Sequence, residues 1–318
     1  MATQTITNDV TQNRQLYIGG SDISVVMGAN RWKTPFRLWC EKTGKLPQPD
    51  LSDNMAVRLG NALEQTVADL FTEETGKIVR RAPKAYIGEK PYMVAHIDRL
   101  IQGEADELLE CKTCSAFKAD EWADGDIPQE YIYQVMWYLG ITGKKTGYIA
   151  VLIGNQAFKY RQITFDSELF DLMKQSAEEF WNLVQNDIPP ALMSADDETL
   201  KLLHKDVTEN YIELYPDNQE KTNAMMLFEE AVARRQSLSE EIKEAQKEKS
   251  LVEAQIKDVI KNNEGIKTAK YIVTWKLRKS APTYDKEAMI LDGCFDKYAV
   301  QHESRVLTVK TNKEFQVA

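Results

Sequence analysis

Residues 94–113 read VAHIDRLIQGEADELLECKT, and this stretch decides the fold prediction. Two apolar runs of strand length flank a turn around Gly103. Asp98 belongs to the first run and Glu110 to the second. Alternate residues of a strand point to the same face, so Glu110 and Lys112 project together. If the two strands pair, Asp98 lies beside Glu110. The stretch therefore predicts two adjoining strands that bring two carboxylates and a lysine to one place.

The pair of carboxylates predicts a metal site. Two neighbouring carboxylates are costly without a cation, and a hard divalent ion with oxygen ligands, such as Mg²⁺, removes that cost. Lys112 beside the ion is suited to orient or deprotonate an attacking water, or to neutralise charge developing on a phosphate. Solvated strand ends also produce the spacing D-x(11)-E-x-K, so the motif by itself leaves the function open.

A helix is predicted upstream of these strands, across residues 52–76. Ser52 or Asp53 is suited to cap its N-terminus, and Gly76 to end it. Glu64 lies at the edge of the apolar face of this helix, one turn after Gly60. Downstream, IPQEYIYQVMWYLGITG (127–143) predicts a second helix, with Gln134 and Tyr138 four residues apart on one face.

The order of the predicted elements indicates the fold class. The chain reads as helix, strands, helix, two strands and helix, which predicts an α/β (α+β) fold with a mixed central sheet flanked by helices. The expected strands lie at 77–88, 92–101, 106–113, 146–154 and 156–165.

The character of the chain changes after residue 190, so we expect a domain at 1–194 and a smaller C-terminal module at 195–318. Segment 219–262 has apolar residues at heptad spacing and predicts a helix of about 60 Å. It is suited to dimerise, to pack on the first domain or to pair with another helix. YIVTWKLRK (271–279) predicts a strand that pairs with SRVLTVK (304–310) in a small hairpin. Its lysines beside Trp275 suit either a DNA contact or a solvated strand face.

Composition restricts the remaining classes. No run of eighteen apolar residues is present, so no membrane span is expected. Four cysteines in 318 residues do not suggest a disulfide framework, and we expect free thiols in a reducing cytoplasm. The net charge of −9 argues against general attraction to nucleic acid. Any DNA contact must then come from a local basic lining on an acidic body.

Residues 14–190 resemble the YqaJ-type viral recombinase family, which belongs with lambda exonuclease to the PD-(D/E)xK nuclease superfamily and is more distantly related to the RecB nuclease domain. The matching motifs are YIGGSDI (17–23), RLGNALE (58–64), HIDR (96–99), LECKT (109–113) and QVMWYLGITG (134–143). The resemblance implies a restriction-endonuclease-like sheet and a magnesium-dependent double-strand DNA exonuclease, with Mn²⁺ as a substitute ion. It further implies digestion from 5′ to 3′ at duplex ends, a single-strand annealing recombinase as partner, and a ring-shaped homo-oligomer.

The resemblance also implies roles for individual residues. Asp98 and Glu110 match the metal-binding carboxylates, together with the backbone carbonyl of Cys111, and Lys112 matches the catalytic lysine. Glu64 matches a helix carboxylate that reaches a metal-bound water or a second ion.

Six further residues have an implied or open role. Gln134 matches the glutamine that supports the lysine or the water, and Tyr138 completes its motif. Arg14 and Ser21 match residues that hold a terminal 5′-phosphate, a task that suits a guanidinium. Two positions depart from the pattern: Ile97 replaces a proline, and Arg99 replaces a glycine and is a candidate phosphate contact. His96 shares a face with Asp98 and is either a third metal ligand or a packed histidine.

Other functions remain open at this point. An endonuclease or a single-strand nuclease would use the same core, and a non-catalytic DNA-binding or assembly protein would keep only its shape. A coiled-coil scaffold built on 219–262 is a further alternative. The presence of all four charged residues argues against a decayed catalytic core: Glu64, Asp98, Glu110 and Lys112.

Overall fold

The computed structural model describes residues 13–103, 106–206, 210–212, 219–276 and 286–293. The chain divides into two compact units, Met1–Val207 and Thr208–Ala318. This division falls 13 residues after the expected boundary at 194, and the first unit includes a short helix, Asp197–Leu203. The functional assignment of the two domains stays a prediction.

The first unit begins with three helices: α1 (Gly20–Val26), α2 (Pro35–Lys42) and α3 (Met55–Thr75). The predicted long helix is confirmed as α3. Its N-terminus is capped by the side chain of Asn54, which accepts hydrogen bonds from two backbone N–H groups. Sequence reasoning placed this cap one or two residues too early. At the other end Gly76 adopts a φ of 71°, a conformation that favours glycine and ends the helix as expected.

Strands and the remaining helices follow in the order β1 to β7, with α4 between β5 and β6. Their bounds are β1 (Val79–Arg81), β2 (Tyr86–Ile87), β3 (Val94–Ala95), β4 (Arg99–Ile101), β5 (Glu107–Cys114), α4 (Gln129–Thr142), β6 (Thr146–Ile153), β7 (Ala157–Thr164), α5 (Ser167–Gln185) and α6 (Asp197–Leu203). The main sheet has the order β1-β4-β5-β6-β7. Only β5 and β6 are parallel, because α4 carries the chain back between them. The predicted mixed sheet flanked by helices is therefore confirmed.

Each face of the sheet is covered by different helices. Leu109 packs with Val67 and Phe71 of α3 on one face. Leu108, its neighbour in β5, belongs to the core formed with α1, α4 and α5 on the other face. Strand alternation therefore sends Glu110 and Lys112 toward α4, and sends Cys111 toward α3. A side chain at Gly147 of β6 would place its Cβ 2.3 Å from Val135, so glycine there lets α4 pack closely against the sheet.

The second unit contains α7 (Gln219–Ile260), the two-stranded sheet of β8 (Gly265–Lys267) and β9 (Ile272–Thr274), and α8 (Lys286–Leu291). The long heptad helix is thus present as predicted, and a small hairpin is present with a different partner strand. The partner of β9 is β8, whereas the expected partner, 304–310, lies outside the described residues. Among the described helices, none is long and apolar enough to cross a membrane.

Candidate active site

The face of β5 that meets α4 carries a closed network of polar side chains. Lys112 Nζ lies 2.6 Å from Glu110 Oε1 and donates to Gln134 Oε1 at 3.0 Å. The amide nitrogen of Gln134 donates to Glu110 Oε1 at 2.6 Å and to the hydroxyl of Tyr138 at 2.8 Å. The structure thus brings together four of the residues that the sequence singled out. Each holds its neighbour in one orientation.

The start of α1 determines where Tyr138 lies. A Cβ built on Gly20 would lie 2.4 Å from Cε1 of the Tyr138 ring, so only glycine fits there without movement. The ring of Tyr138 packs against the bare backbone of α1, and its hydroxyl then meets Gln134. This contact gives the glycine of the YIGGSDI motif a physical role.

A stack of aromatic rings lies next to Lys112. Its Nζ is 5.0 Å from the centroid of the Tyr131 ring, in the geometry of a cation–π contact. The Trp122 ring is stacked on Tyr131 with centroids 5.7 Å apart, and Trp122 is buried. The lysine is therefore held by a carboxylate, an amide and an aromatic ring together.

Asp98 lies directly before β4, and its side chain contacts the backbone of β5. Its Oδ2 accepts a hydrogen bond from the Cys111 N–H at 2.8 Å. Burial and the neighbouring carboxylate of Glu110 raise the pKa of Asp98 well above its ordinary value, although Lys112 opposes this shift. The two carboxylates are thus close enough to repel each other, as the sequence predicted.

The donor set fits a divalent cation with oxygen ligands. Glu110 is only 2% exposed, and its Oε1 accepts both hydrogen bonds described above. Its buried Oε2 has no hydrogen-bond partner in the part of the chain that the structure describes. A hard divalent cation would satisfy the unpaired oxygen of Glu110 and would reduce the repulsion between the carboxylates of Glu110 and Asp98.

No group of three or more His, Cys, Asp or Glu residues that could hold a metal ion is found within the described residues. The set expected here differs from such a group, because it has two carboxylates and the backbone carbonyl of Cys111. The metal-binding roles of these residues stay predictions.

Glu64 of α3 approaches the site through Arg99. The guanidinium of Arg99 forms a short ion pair with Glu64 Oε1, and it donates to Gln65 Oε1 at 3.1 Å and to the backbone oxygen of Asp98 at 2.9 Å. Arg99 is 2% exposed. The sequence did not predict the pair of Glu64 and Arg99. Arg99, which departs from the family pattern, thus connects α3 to Asp98. The roles of Arg99 as a phosphate contact and of Glu64 near the ions stay predictions.

His96 lies near Asp98 in the same cleft and packs against Tyr17, with ring centroids 5.5 Å apart. Its part in metal binding stays open. The cleft has a volume of about 370 Å³. It is lined by Asn61, Glu64, Arg81, Ala82, Lys84, Ala85, His96, Ile97, Asp98 and Arg99. Glu110 and Lys112 do not line it and lie on the α4 side of Asp98.

The structure also brings Arg14 and Ser21 together. Arg14 Nη2 donates to Ser21 Oγ at 2.9 Å and to Asp22 Oδ1 at 3.1 Å. Lys42 of α2 donates to Asp22 Oδ2 at 2.8 Å and also to the backbone oxygen of Tyr17. Burial alone would raise the pKa of Asp22, but Lys42 and Arg14 hold it well below its ordinary value. Asp22 and Lys42 were missed from the sequence, although Asp22 belongs to the YIGGSDI motif.

The described cysteines, Cys40, Cys111 and Cys114, are free thiols. Burial and the nearby Asp98 raise the pKa of Cys111, which disfavours the thiolate form. Cys294 lies outside the described residues.

Comparison with known proteins places the chain in a family. Residues 10–145 match the YqaJ-like viral recombinase domain. The chain is 39% identical over 271 residues to the uncharacterized protein YqaJ of Bacillus subtilis (strain 168), and this match covers 83% of the chain and 81% of that protein.

Two solved exonuclease structures are also similar to the chain. An alkaline exonuclease (LHK-Exo) from Laribacter hongkongensis is 19% identical, with 55% of this chain and 91% of that chain covered and a TM-score of 0.47. A phage related exonuclease from Haemophilus somnus 129PT is 15% identical, with 54% and 96% covered and a TM-score of 0.42. The long match to YqaJ confirms the family expected from the motifs: the chain belongs to the YqaJ-like viral recombinase family.

Proposed function

We propose that this member of the family is a magnesium-dependent double-strand DNA exonuclease that digests from 5′ to 3′ and leaves 3′ single strands. The observation that carries the proposal is the network of Glu110, Lys112 and Gln134 beside Asp98. A half-buried lysine paired with Glu110, whose second carboxylate oxygen is buried and bare, suits phosphodiester hydrolysis better than structural support, because a structural network would satisfy every buried group.

The proposed ligands of Mg²⁺ are Asp98, Glu110 and the backbone carbonyl of Cys111, and Mn²⁺ is expected to replace it. When bound, the ion neutralises charge at the scissile phosphate and favours ionisation of a water. Glu64 is proposed to contact that water or a second ion.

Lys112 contributes positive charge. Burial alone would lower the pKa of its ammonium group, but Glu110 and Asp98 raise it above the ordinary value. Lys112 is therefore charged near neutral pH and suited to stabilise negative charge that develops on the phosphate. Gln134 supports this role by accepting from Lys112 and donating to Glu110, so that neither side chain can turn away. Tyr138 orients Gln134.

Arg14 and Ser21 are proposed to hold the 5′-phosphate of the duplex end. Arg14 is held by Asp22, yet 33% of its side chain is exposed, so the side chain is partly accessible to a ligand. A charge-assisted contact of this kind selects phosphorylated ends over hydroxyl ends. The paired single-strand annealing recombinase, the ring-shaped homo-oligomer and the cytoplasmic location are proposed on the family resemblance.

The test is digestion of DNA with Mg²⁺ by the wild-type chain, by Lys112→Ala and by Lys90→Ala. Lys90 is exposed, so it controls for the same chemical change away from the site. The substrates are linear duplexes with a 5′-phosphate or a 5′-hydroxyl, and closed circles. We expect rapid loss of 5′-phosphorylated duplex with the wild type and Lys90→Ala, and none with Lys112→Ala.

Three results would contradict the proposal at different levels. Cutting of circles would make the chain an endonuclease. Equal digestion rates on linear duplexes with a 5′-phosphate and with a 5′-hydroxyl would contradict the proposed phosphate pocket. Absence of wild-type activity with Mg²⁺ and with Mn²⁺ would favour a binding or assembly protein.

A further inference from the structure

Two positive side chains line the cleft beside Asp98. Arg81 is the last residue of β1, and Lys84 lies in the turn that follows it. Both are exposed and both line the cleft together with Glu64 and Asp98. Within the described part of the chain, neither forms an ion pair, whereas Arg99 in the same cleft is paired with Glu64.

The position of Arg81 in the sheet is electrostatically unfavourable. Arg81 is the direct cross-strand partner of Arg99 in the antiparallel pair of β1 and β4. Like charges directly opposite each other destabilise a sheet. Glu64 neutralises Arg99, while Arg81 lacks such a carboxylate. A charge kept at an unfavourable position in a cleft is explained more readily by a ligand than by stability.

The charge balance of the chain indicates the kind of ligand. The net charge is −9, so a polyanion is not attracted by the protein as a whole. Binding of DNA then depends on a few positive groups at the site itself. Arg81 and Lys84 place two such groups in the cleft that also contains Asp98. A phosphodiester chain is an anion that can contact two neighbouring cations and also extend to the proposed cleavage site.

We propose that Arg81 and Lys84 bind the phosphate backbone of the DNA strand that enters the cleft. The inference rests on the proposed nuclease function and extends it to residues that no motif identifies. Arg81 and Lys84 are binding residues here: they hold the strand next to the carboxylates, and they contribute affinity that does not depend on base sequence.

The chain provides a matched control one residue away. Arg80 is exposed like Arg81 and belongs to the same strand, but successive strand residues point to opposite faces. Arg80 lies opposite Leu100 and does not line the cleft. Arg80→Gln and Arg81→Gln therefore change the net charge equally, and only the second removes a charge from the cleft.

The experiment measures binding of the full chain to a fluorescent linear duplex with a 5′-phosphate, by anisotropy in EDTA, which prevents cleavage. Salt is varied between about 50 and 200 mM. We expect Arg81→Gln and Lys84→Gln each to lower the slope of log affinity against log salt by about one. Affinity should fall by about five- to tenfold at the lowest salt. Arg80→Gln should behave as wild type, and Arg81→Lys should restore most of the loss.

Thermal unfolding separates binding from folding. Removal of a charge that faces Arg99 should leave the Tm of Arg81→Gln unchanged or raise it, so lost affinity cannot come from misfolding. The inference fails if Arg80→Gln and Arg81→Gln have the same salt slope while the wild type cleaves DNA. If the wild type neither binds nor cleaves DNA, the proposed nuclease function fails as well, and the two failures are thereby distinguished.

Discussion

The two sides of Asp98 differ in how their polar groups are satisfied. On the α4 side, Glu110, Lys112 and Gln134 bind one another, and Glu110 Oε2 has no hydrogen-bond partner among the described residues. On the α3 side lies an open cleft in which Arg81 has no ion-pair partner among the described residues. The first arrangement suits chemistry, which needs groups held in one geometry, and the second suits a ligand that must enter and leave.

The largest effect should come from breaking the closed side. Glu110→Gln keeps the shape and a hydrogen bond to Lys112 but removes the charge that a cation needs. We expect the Mg²⁺-dependent rate to fall about a thousandfold or more, because metal-assisted charge stabilisation is worth several kcal/mol. Measured as turnover of linear duplex, a loss of less than tenfold would show that the chemistry does not depend on this side. Glu107→Gln, in the same strand but outside the network, is the control.

The next effect tests Asp98, which lies between the two sides. A carboxyl whose pKa is raised in the folded state makes stability fall as pH rises above its unfolded pKa of about 3.9, and the loss is complete above the folded pKa. In EDTA, Asp98→Asn should therefore unfold at a higher temperature than wild type at neutral pH, with the difference vanishing at acid pH. At about one hundred times its Kd, Mg²⁺ should stabilise the wild type by about 2.7 kcal/mol.

The same ion should leave the stability of Asp98→Asn unchanged. The exposed Asp53→Asn is the control, and it should follow wild type at every pH and with Mg²⁺. An Asp98→Asn chain that gains as much stability from Mg²⁺ as wild type would remove Asp98 from the metal site.

The smallest expected effect concerns the support of the closed side. Gly20→Ala puts a Cβ 2.4 Å from Tyr138, whereas the nearest atom to a Cβ at Gly19 is 3.5 Å away. We expect Gly20→Ala to destabilise folding by about 1–3 kcal/mol in urea unfolding and to reduce the rate as Gln134 moves. Gly19→Ala should approach wild type in both measurements. Equal behaviour of the two variants would mean that α1 does not position the network.

Local patterns in the sequence predicted much of the fold and the closed side of the site. Helical spacing identified α3, the strand-length runs at 146–154 and 156–165 identified β6 and β7, and the two-residue step from Glu110 to Lys112 placed both on one face. These features depend on residues close in sequence. The helix cap was misplaced because Ser52, Asp53 and Asn54 are all suitable caps, and only the coordinates decide among them.

The open side was not predictable in the same way. The pair of Glu64 and Arg99 joins residues 35 positions apart, and away from this cleft Lys42 likewise reaches Asp22 across 20 positions. No spacing rule links such residues, because their approach depends on how α2 and α3 pack against the rest of the unit. Arg81 belongs to none of the sequence motifs, and only its position in the cleft distinguishes it from other surface charges.

The stack of Trp122 on Tyr131 next to Lys112 makes the site visible to spectroscopy. Trp122 is buried and separated from the ammonium group by a single aromatic ring. Indole emission responds to nearby charge, so arrival of a cation or a phosphate that shifts Lys112 changes the fluorescence of this tryptophan. The chain has six tryptophans, and a Trp122→Phe variant isolates the contribution of this one. We therefore expect occupancy of the proposed catalytic site to be readable in solution without attaching a dye.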